Sequence, residues 1–268
     1  MLFLRKFLPF ILFTTAVILI SVIIFGYRSL HNVSTEKPGH LVVAGLNQSV
    51  DIRRDEWGIP HILAQNEQDL FFAAGFACAQ DRLWQLDLLR RAATGRLSEI
   101  MGEPTLALDE LARTIGLEQT SQALLSGLPA DTRLRLNAYV AGINAFLQSS
   151  KSLPLEFVLL HYTPEPWRPQ DTLALQRLLA WSLSMGWHID PVMGEVAGQV
   201  EPHKLQRLLP TARMSAATAS FTSTLMTKSQ AAWQQLFGVI PQGLGSNAWA
   251  VTGSRTQNRA PILANDTH

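Results

Sequence analysis

The chain has 268 residues, 22 Lys+Arg against 21 Asp+Glu, and 47% hydrophobic residues. A charge this evenly balanced leaves no electrostatic footprint for a nucleic-acid partner. The single cysteine, Cys78, excludes an internal disulfide, so a core or a partner chain must hold the protein together.

In chain order, the first signal is Arg5 and Lys6 followed by an almost purely apolar run from Phe7 to Gly26, uncharged until Arg28. A run of about 20 apolar residues can span a bilayer and exceeds the ~7–15 residues of a signal-peptide core. No small-x-small cleavage site follows it, so residues 1–30 read as an uncleaved anchor in preference to a removed signal. Arg5 and Lys6 favour a cytoplasmic amino terminus, an asymmetry weakened by Arg28, His31 and Lys37.

Residues 48–64 read as two short strands about the turn Asp55-Glu56-Trp57-Gly58, with Pro60 at an edge or as the bend that opens the second strand. From Glu67 to about Ile100 the period becomes helical. Leu70, Ala73, Ala74, Ala77, Leu83, Leu86 and Leu89 recur mostly at three- and four-residue steps, and Gly95 and Gly102 mark the end. Cys78 falls inside this pattern and reads as a small buried side chain. A further helix is expected from Asp131 to about Gln148. Pro164, Pro166 and Pro169 then forbid continuous helix until another begins near Asp171, read as its N-cap, and runs to Ser184. From Thr211 to Ser229 the composition shifts to Ala, Ser and Thr, which reads as a flexible spacer or a weak helix. Two strands, Asn247–Val251 and Pro261–Ala264, close the sequence around the turn Thr252-Gly253-Ser254.

Chemistry concentrates at Gly245-Ser246. Cutting that bond would give Ser246 a free α-amine beside its hydroxyl, a base with an unperturbed pKa of about 7.7–8.0 next to a nucleophile. Glycine before the serine tolerates a strained peptide bond. Gly-Ser-Asn is also an ordinary turn, and the local pattern alone does not decide. His61 has no Cys, His or carboxylate at metal spacing beside it. Asp81, Arg82, Arg90 and Arg91 read as a structural charge network that fixes an arrangement more than it stabilises it.

Three blocks together carry a resemblance. They are Asp55-Glu56-Trp57-Gly58-Ile59-Pro60-His61-Ile62, then Gly75 to Leu86 with Arg90-Arg91 and Gly95-Arg96-Leu97-Ser98-Glu99, and finally Gly245-Ser246-Asn247-Ala248-Trp249 with Leu263-Ala264-Asn265-Asp266-Thr267-His268. In this order and spacing the chain, from about Val50 onward, resembles the penicillin acylase family of N-terminal nucleophile hydrolases. The resemblance implies an α+β class and a four-layer αββα fold, represented here mainly by the helical α-chain part plus a few strands. It implies an exported, periplasmic precursor anchored in the inner membrane by residues 7–26, with residues 42–210 as α chain, 211–245 as spacer and 246–268 as the start of a β chain. Ser246 would be both the residue freed by self-cleavage after Gly245 and the nucleophile that forms an acyl-enzyme.

The same resemblance assigns the backbone N–H of His268 to the oxyanion, the alternative being a terminal histidine with no role. It assigns Met185, Trp187 and Ile189 to the acyl pocket, although they read equally as buried core. Glu195 aligns with a ligand of structural calcium and reads equally as a surface acid; no organic cofactor is implied. The implied substrate is an amide between an acyl group and an amine, such as a β-lactam or an acyl-homoserine lactone. His268 leans toward the cephalosporin and lactone acylases. The implied partner is the remainder of the β chain in an αβ heterodimer, whether it follows in the same gene or comes from a separate one. Family β chains run for several hundred residues beyond the nucleophile. The expectation is therefore an amino-terminal fragment, neither a stable domain nor active by itself; the alternative is a non-catalytic, membrane-anchored remnant that binds a partner.

Overall fold

The computed structural model describes residues 13–21, 24, 26, 39–150, 152–184, 196, 199–201, 204 and 246–266. Residues 13–21 are helical and largely solvent-facing. Among the described residues no helix is long and apolar enough to cross a membrane. The apolar segment 7–26 lies only partly within them, and the expected spacer, 211–245, lies outside them.

The fold is mostly helical with two small hairpins. Strands β1 (Asp51–Arg54) and β2 (Pro60–Leu63) pair antiparallel, with Ile52 opposite Ile62 and Arg54 opposite Pro60. Because side chains alternate along a strand, Ile52, Arg54, Pro60 and Ile62 form the more buried face, and Asp51, Arg53, His61 and Leu63 the exposed one. Pro60 begins its strand, as expected from its missing N–H.

Helix α1 (Glu67–Thr94) is the axis of the molecule. Asn66 caps it by accepting from the Asp69 N–H at 2.9 Å, and Glu67 and Asp69 place negative charge at the positive end of the dipole. Gly95 ends it in the left-handed conformation, φ 65°, where a side chain would be strained. The regular backbone breaks once, at Arg82, with φ −138° and ψ 26°. After the short α2 (Ser98–Met101) and a 3-10 turn, Glu103–Thr105, come α3 (Leu106–Ile115) and α4 (Leu117–Gly127). The sequence reading missed these two. α5 (Ala130–Ser149), α6 (Leu155–Leu159) and α7 (Pro169–Ser182) complete the body. Asp171 is the third residue of α7 and not its N-cap. Its carboxylate accepts from the backbone N–H of Arg168, the true cap, at 2.8 Å, while Pro169 takes the first-turn position where its missing N–H is harmless.

α1 and α5 cross at two glycines. A Cβ on Gly75 would lie 2.0 Å from the Tyr139 carbonyl oxygen, and one on Gly142 1.9 Å from that of Phe72. Only hydrogen at both positions allows this approach. Beside the crossing lies the main core, Ala79, Leu83, Val140, Ile143, Phe157 and Trp167, with Trp84 edge-on to Phe157. A smaller cluster of Ala92, Leu97 and Leu108 closes the far end of α1. Cys78 is half-buried, its thiol beside the Tyr139 hydroxyl, so the expectation of full burial is not met.

Candidate active site

Ser246 is solvent-exposed and stands immediately before β3 (Asn247–Val251), which pairs antiparallel with β4 (Ile262–Asp266). The register sets Asn247 opposite Asp266, Trp249 opposite Ala264 and Val251 opposite Ile262. β4 thus ends beside the point where Ser246 enters the ladder, and Thr267 and His268 follow from that end in the sequence. The connection between the strands is held by its own polar groups. Thr256 Oγ1 donates to the Ala260 carbonyl at 2.7 Å, and the Ala260 N–H donates to Asn258 Oδ1 at 3.1 Å. The hairpin leaves Trp249, Ile262 and Leu263 exposed, Leu263 at 80%. Of the residues assigned by resemblance, Gly245, His268, Met185, Trp187, Ile189 and Glu195 lie outside the described residues. Among those described, no group of three or more His, Cys, Asp or Glu side chains is placed to hold a metal ion.

The charged residues of the second sequence block divide into two sets. In the first, Asp87 is buried and accepts from Arg90, from Arg91 Nε at 2.9 Å and from the Tyr162 hydroxyl at 2.8 Å. Arg90 also reaches the carbonyls of Glu165 and Pro166, both at 3.2 Å, and Asp171 at 3.4 Å, and lies over the Trp167 ring. Arg91 bonds Glu99 at 2.7 Å. Burial works against its charge, but the carboxylates of Asp87 and Glu99 outweigh it and raise the pKa. Arg96 completes the network by gripping Glu99 and Glu165; its hydrogen bonds hold Glu165 down at about 2. Tyr162 is driven upward by burial and by its bond to the Asp87 carboxylate. A fully paired network of this kind fastens the proline-rich connector to the end of α1. The expected structural role of Arg90 and Arg91 is therefore what the geometry displays, with Asp87, Glu99, Glu165 and Asp171 as the partners that sequence reading did not name.

Asp81 and Arg82 stand apart from that network. Asp81 receives both terminal nitrogens of Arg54, at 2.9 and 2.8 Å, and exposed Arg82 makes no ion pair among the described residues. A groove of about 370 Å³ runs between them and the β1–β2 turn, lined also by Trp57, Ile59 and Pro60. His61 does find a carboxylate, six residues back across that turn: Asp55 Oδ2 at 3.1 Å. That hydrogen bond, helped by the N–H groups of Ile59 and Trp57, lowers the Asp55 pKa.

A family model described as penicillin amidase matches residues 49–268. The chain belongs to the penicillin amidase family, a family of amidohydrolases. The penicillin acylase 2 proenzyme of Pseudomonas sp. strain SE83 is 38% identical over 253 residues, 86% of this chain and 31% of that protein. The acyl-homoserine lactone acylase QuiP of Pseudomonas aeruginosa is 29% identical over 243 residues, 84% of this chain and 28% of its own length. The chain thus spans less than a third of the length of either relative. Among solved structures, a thermostable penicillin G acylase from Alcaligenes faecalis is 26% identical, covering 64% of this chain and 96% of that one with a TM-score of 0.49.

Proposed function

We propose that this chain supplies the amino-terminal part of an acylase precursor that cuts itself between Gly245 and Ser246. The observation that carries the reading is the family match over residues 49–268, a range that includes Ser246, together with the exposed position of Ser246 at the head of β3. After the cut, the Ser246 hydroxyl attacks an amide carbonyl while its own α-amine, through a water molecule, takes the proton. The C–N bond breaks, the amine leaves with a proton, and the acyl group stays on the serine oxygen. Water then attacks the ester and frees the acid. The backbone N–H of His268 serves the oxyanion; the register that ends β4 beside Ser246 supports this assignment.

In this reading residues 42–210 form the α chain, 211–245 the spacer and 246–268 the start of the β chain. The two hairpins are the strands on which the remainder of that β chain builds the four-layer αββα fold as an αβ heterodimer. Met185, Trp187 and Ile189 line the acyl pocket, and residues 7–26 export the chain and anchor it in the inner membrane with its body in the periplasm. The substrate class is an acyl amide, either a β-lactam side chain or an acyl-homoserine lactone, as the names of the two relatives suggest. Calcium has only Glu195 in its favour, no described residue adds to it, and no step here depends on it.

The test uses Ser246→Ala and Ser246→Cys in the protein expressed from its complete coding sequence. The alanine variant is expected to lose both self-cleavage and amide hydrolysis, because one hydroxyl serves both. The cysteine variant is expected to be cut yet to hydrolyse poorly, since a thiol differs in basicity and geometry. Normal processing of Ser246→Ala, read by amino-terminal sequencing of the fragments, would remove Ser246 from the nucleophile role.

A further inference from the structure

Arg82 is exposed, and among the described residues its guanidinium finds neither a hydrogen bond nor an ion pair. Its own helix supplies no partner. Three and four residues away on α1 stand Cys78, Ala79, Gln85 and Leu86, with no carboxylate among them. The adjacent Asp81 is engaged by Arg54, which also donates to Gln80 Oε1 at 3.0 Å and to the Gly58 carbonyl at 2.8 Å. Asp55, across the turn, is taken by His61. Of the charged side chains that line the groove, Arg54 and Asp81 cancel, and Arg82 leaves it one uncompensated positive charge.

The one break in the regular backbone of α1 falls at Arg82 itself, so the irregular residue and the free charge share the groove wall. The turn side of the groove presents Trp57, 77% exposed, and Ile59, 53% exposed. Arginine and tryptophan are the side chains that most often carry binding energy at protein contacts. A guanidinium fork matches a carboxylate through two parallel hydrogen bonds. β1 and β2 have only each other as strand partners among the described residues, which leaves the outer edges of the same hairpin open to further chain. The chain spans 31% of its penicillin acylase relative, and in the function proposed above the remainder of the β chain builds on this hairpin.

We propose that this groove receives an Asp or Glu side chain of the β chain beyond residue 268, paired with Arg82, with the flanking β-chain residues packed on Trp57 and Ile59. Arg82 is thus an assembly contact between the α-chain region and the later part of the β chain, separate from the Asp87 network. The proposal rests on the reading that a β chain continues past residue 268, and not on the cut before Ser246.

The test uses the protein expressed from its complete coding sequence and carrying Arg82→Lys, which keeps the charge and supplies an amine. A water-soluble carbodiimide activates a carboxylate, a neighbouring amine joins it as an amide, and the reagent takes up the water as a urea. Peptide mass analysis is expected to find position 82 joined to an Asp or Glu beyond residue 268. In the wild-type protein, phenylglyoxal is expected to modify Arg82 more slowly in the native state than in urea. A bond from position 82 to a residue within 42–268, a bond joining two copies of the chain, or no bond at all would overturn the proposal. So would a native Arg82 as reactive as in urea. The bond is expected in cut and uncut protein alike, so its presence in a chain that is not cut would count against the role of Ser246 alone.

Discussion

At Asp87 one carboxylate answers two buried guanidinium groups and a phenol. Removing one partner of a buried ion pair leaves the other charge uncompensated, which costs about 3–5 kcal/mol. Asp87→Ala is accordingly expected to lower stability by about that amount, read from the urea midpoint, whereas Asp51→Ala, on an exposed pair, is expected to change it by under ~1 kcal/mol. Glu165 makes a separate prediction through pH. Its folded pKa of about 2 lies below the ordinary 4.5 because of Arg96, so its stabilisation is complete above pH 4.5 and is lost as the pH falls toward 2. Glu165→Gln should flatten the acid limb of the stability curve in that window, modestly, since the side chain is half exposed. Part of this network was legible in the sequence. Asp87 lies three and four residues before Arg90 and Arg91, the spacing that puts charges on one helix face. Asp171 and Tyr162 come from far along the chain, and only the folded connector brings them in. Grouping Asp81 and Arg82 with the arginines followed nearness in sequence, and the fold separates them.

Among the elements, α5 followed its apolar period closely, the expected 131–148 being observed as Ala130–Ser149, whereas α1, expected to run to about Ile100, stops at Thr94 because Gly95 caps it. α3 and α4 escaped because each is short, Gly116 interrupts them, and the second is rich in Gln, Ser and Thr. Tertiary bonds hold them instead. Asp109 of α3 accepts from the N–H groups of Leu97 and Ser98 at 2.7 and 2.8 Å, joining α3 to the end of α1. The α1–α5 crossing was hidden for a related reason, since a glycine inside a helix pattern says nothing of what it lies against. Gly142→Ala is expected to destabilise by about 3 kcal/mol or more, because the added methyl meets a backbone carbonyl that cannot rotate away. Thermal unfolding followed by circular dichroism checks this, with Gly127→Ala as a control, where a Cβ meets nothing within 4 Å.

For the whole molecule, the helical body and the two hairpins have different standing. The body buries a core of its own. The β3–β4 hairpin is two strands with Trp249, Ile262 and Leu263 in solvent, and isolated two-stranded hairpins are marginal in water. The family could be read directly from the residues, because three motif blocks follow one another along the chain, and the family match over residues 49–268 bears that reading out. The sheet architecture could not, since β3 and β4 have only each other as strand partners among the described residues, and the chain spans 31% of its penicillin acylase relative. In the proposed function this chain is cut before Ser246. Intact-mass measurement of the protein expressed from its complete coding sequence tests it most directly. Two or more fragments are expected, one of them beginning at Ser246. A single uncut chain, or a cut that leaves Ser246 inside a fragment, would contradict it.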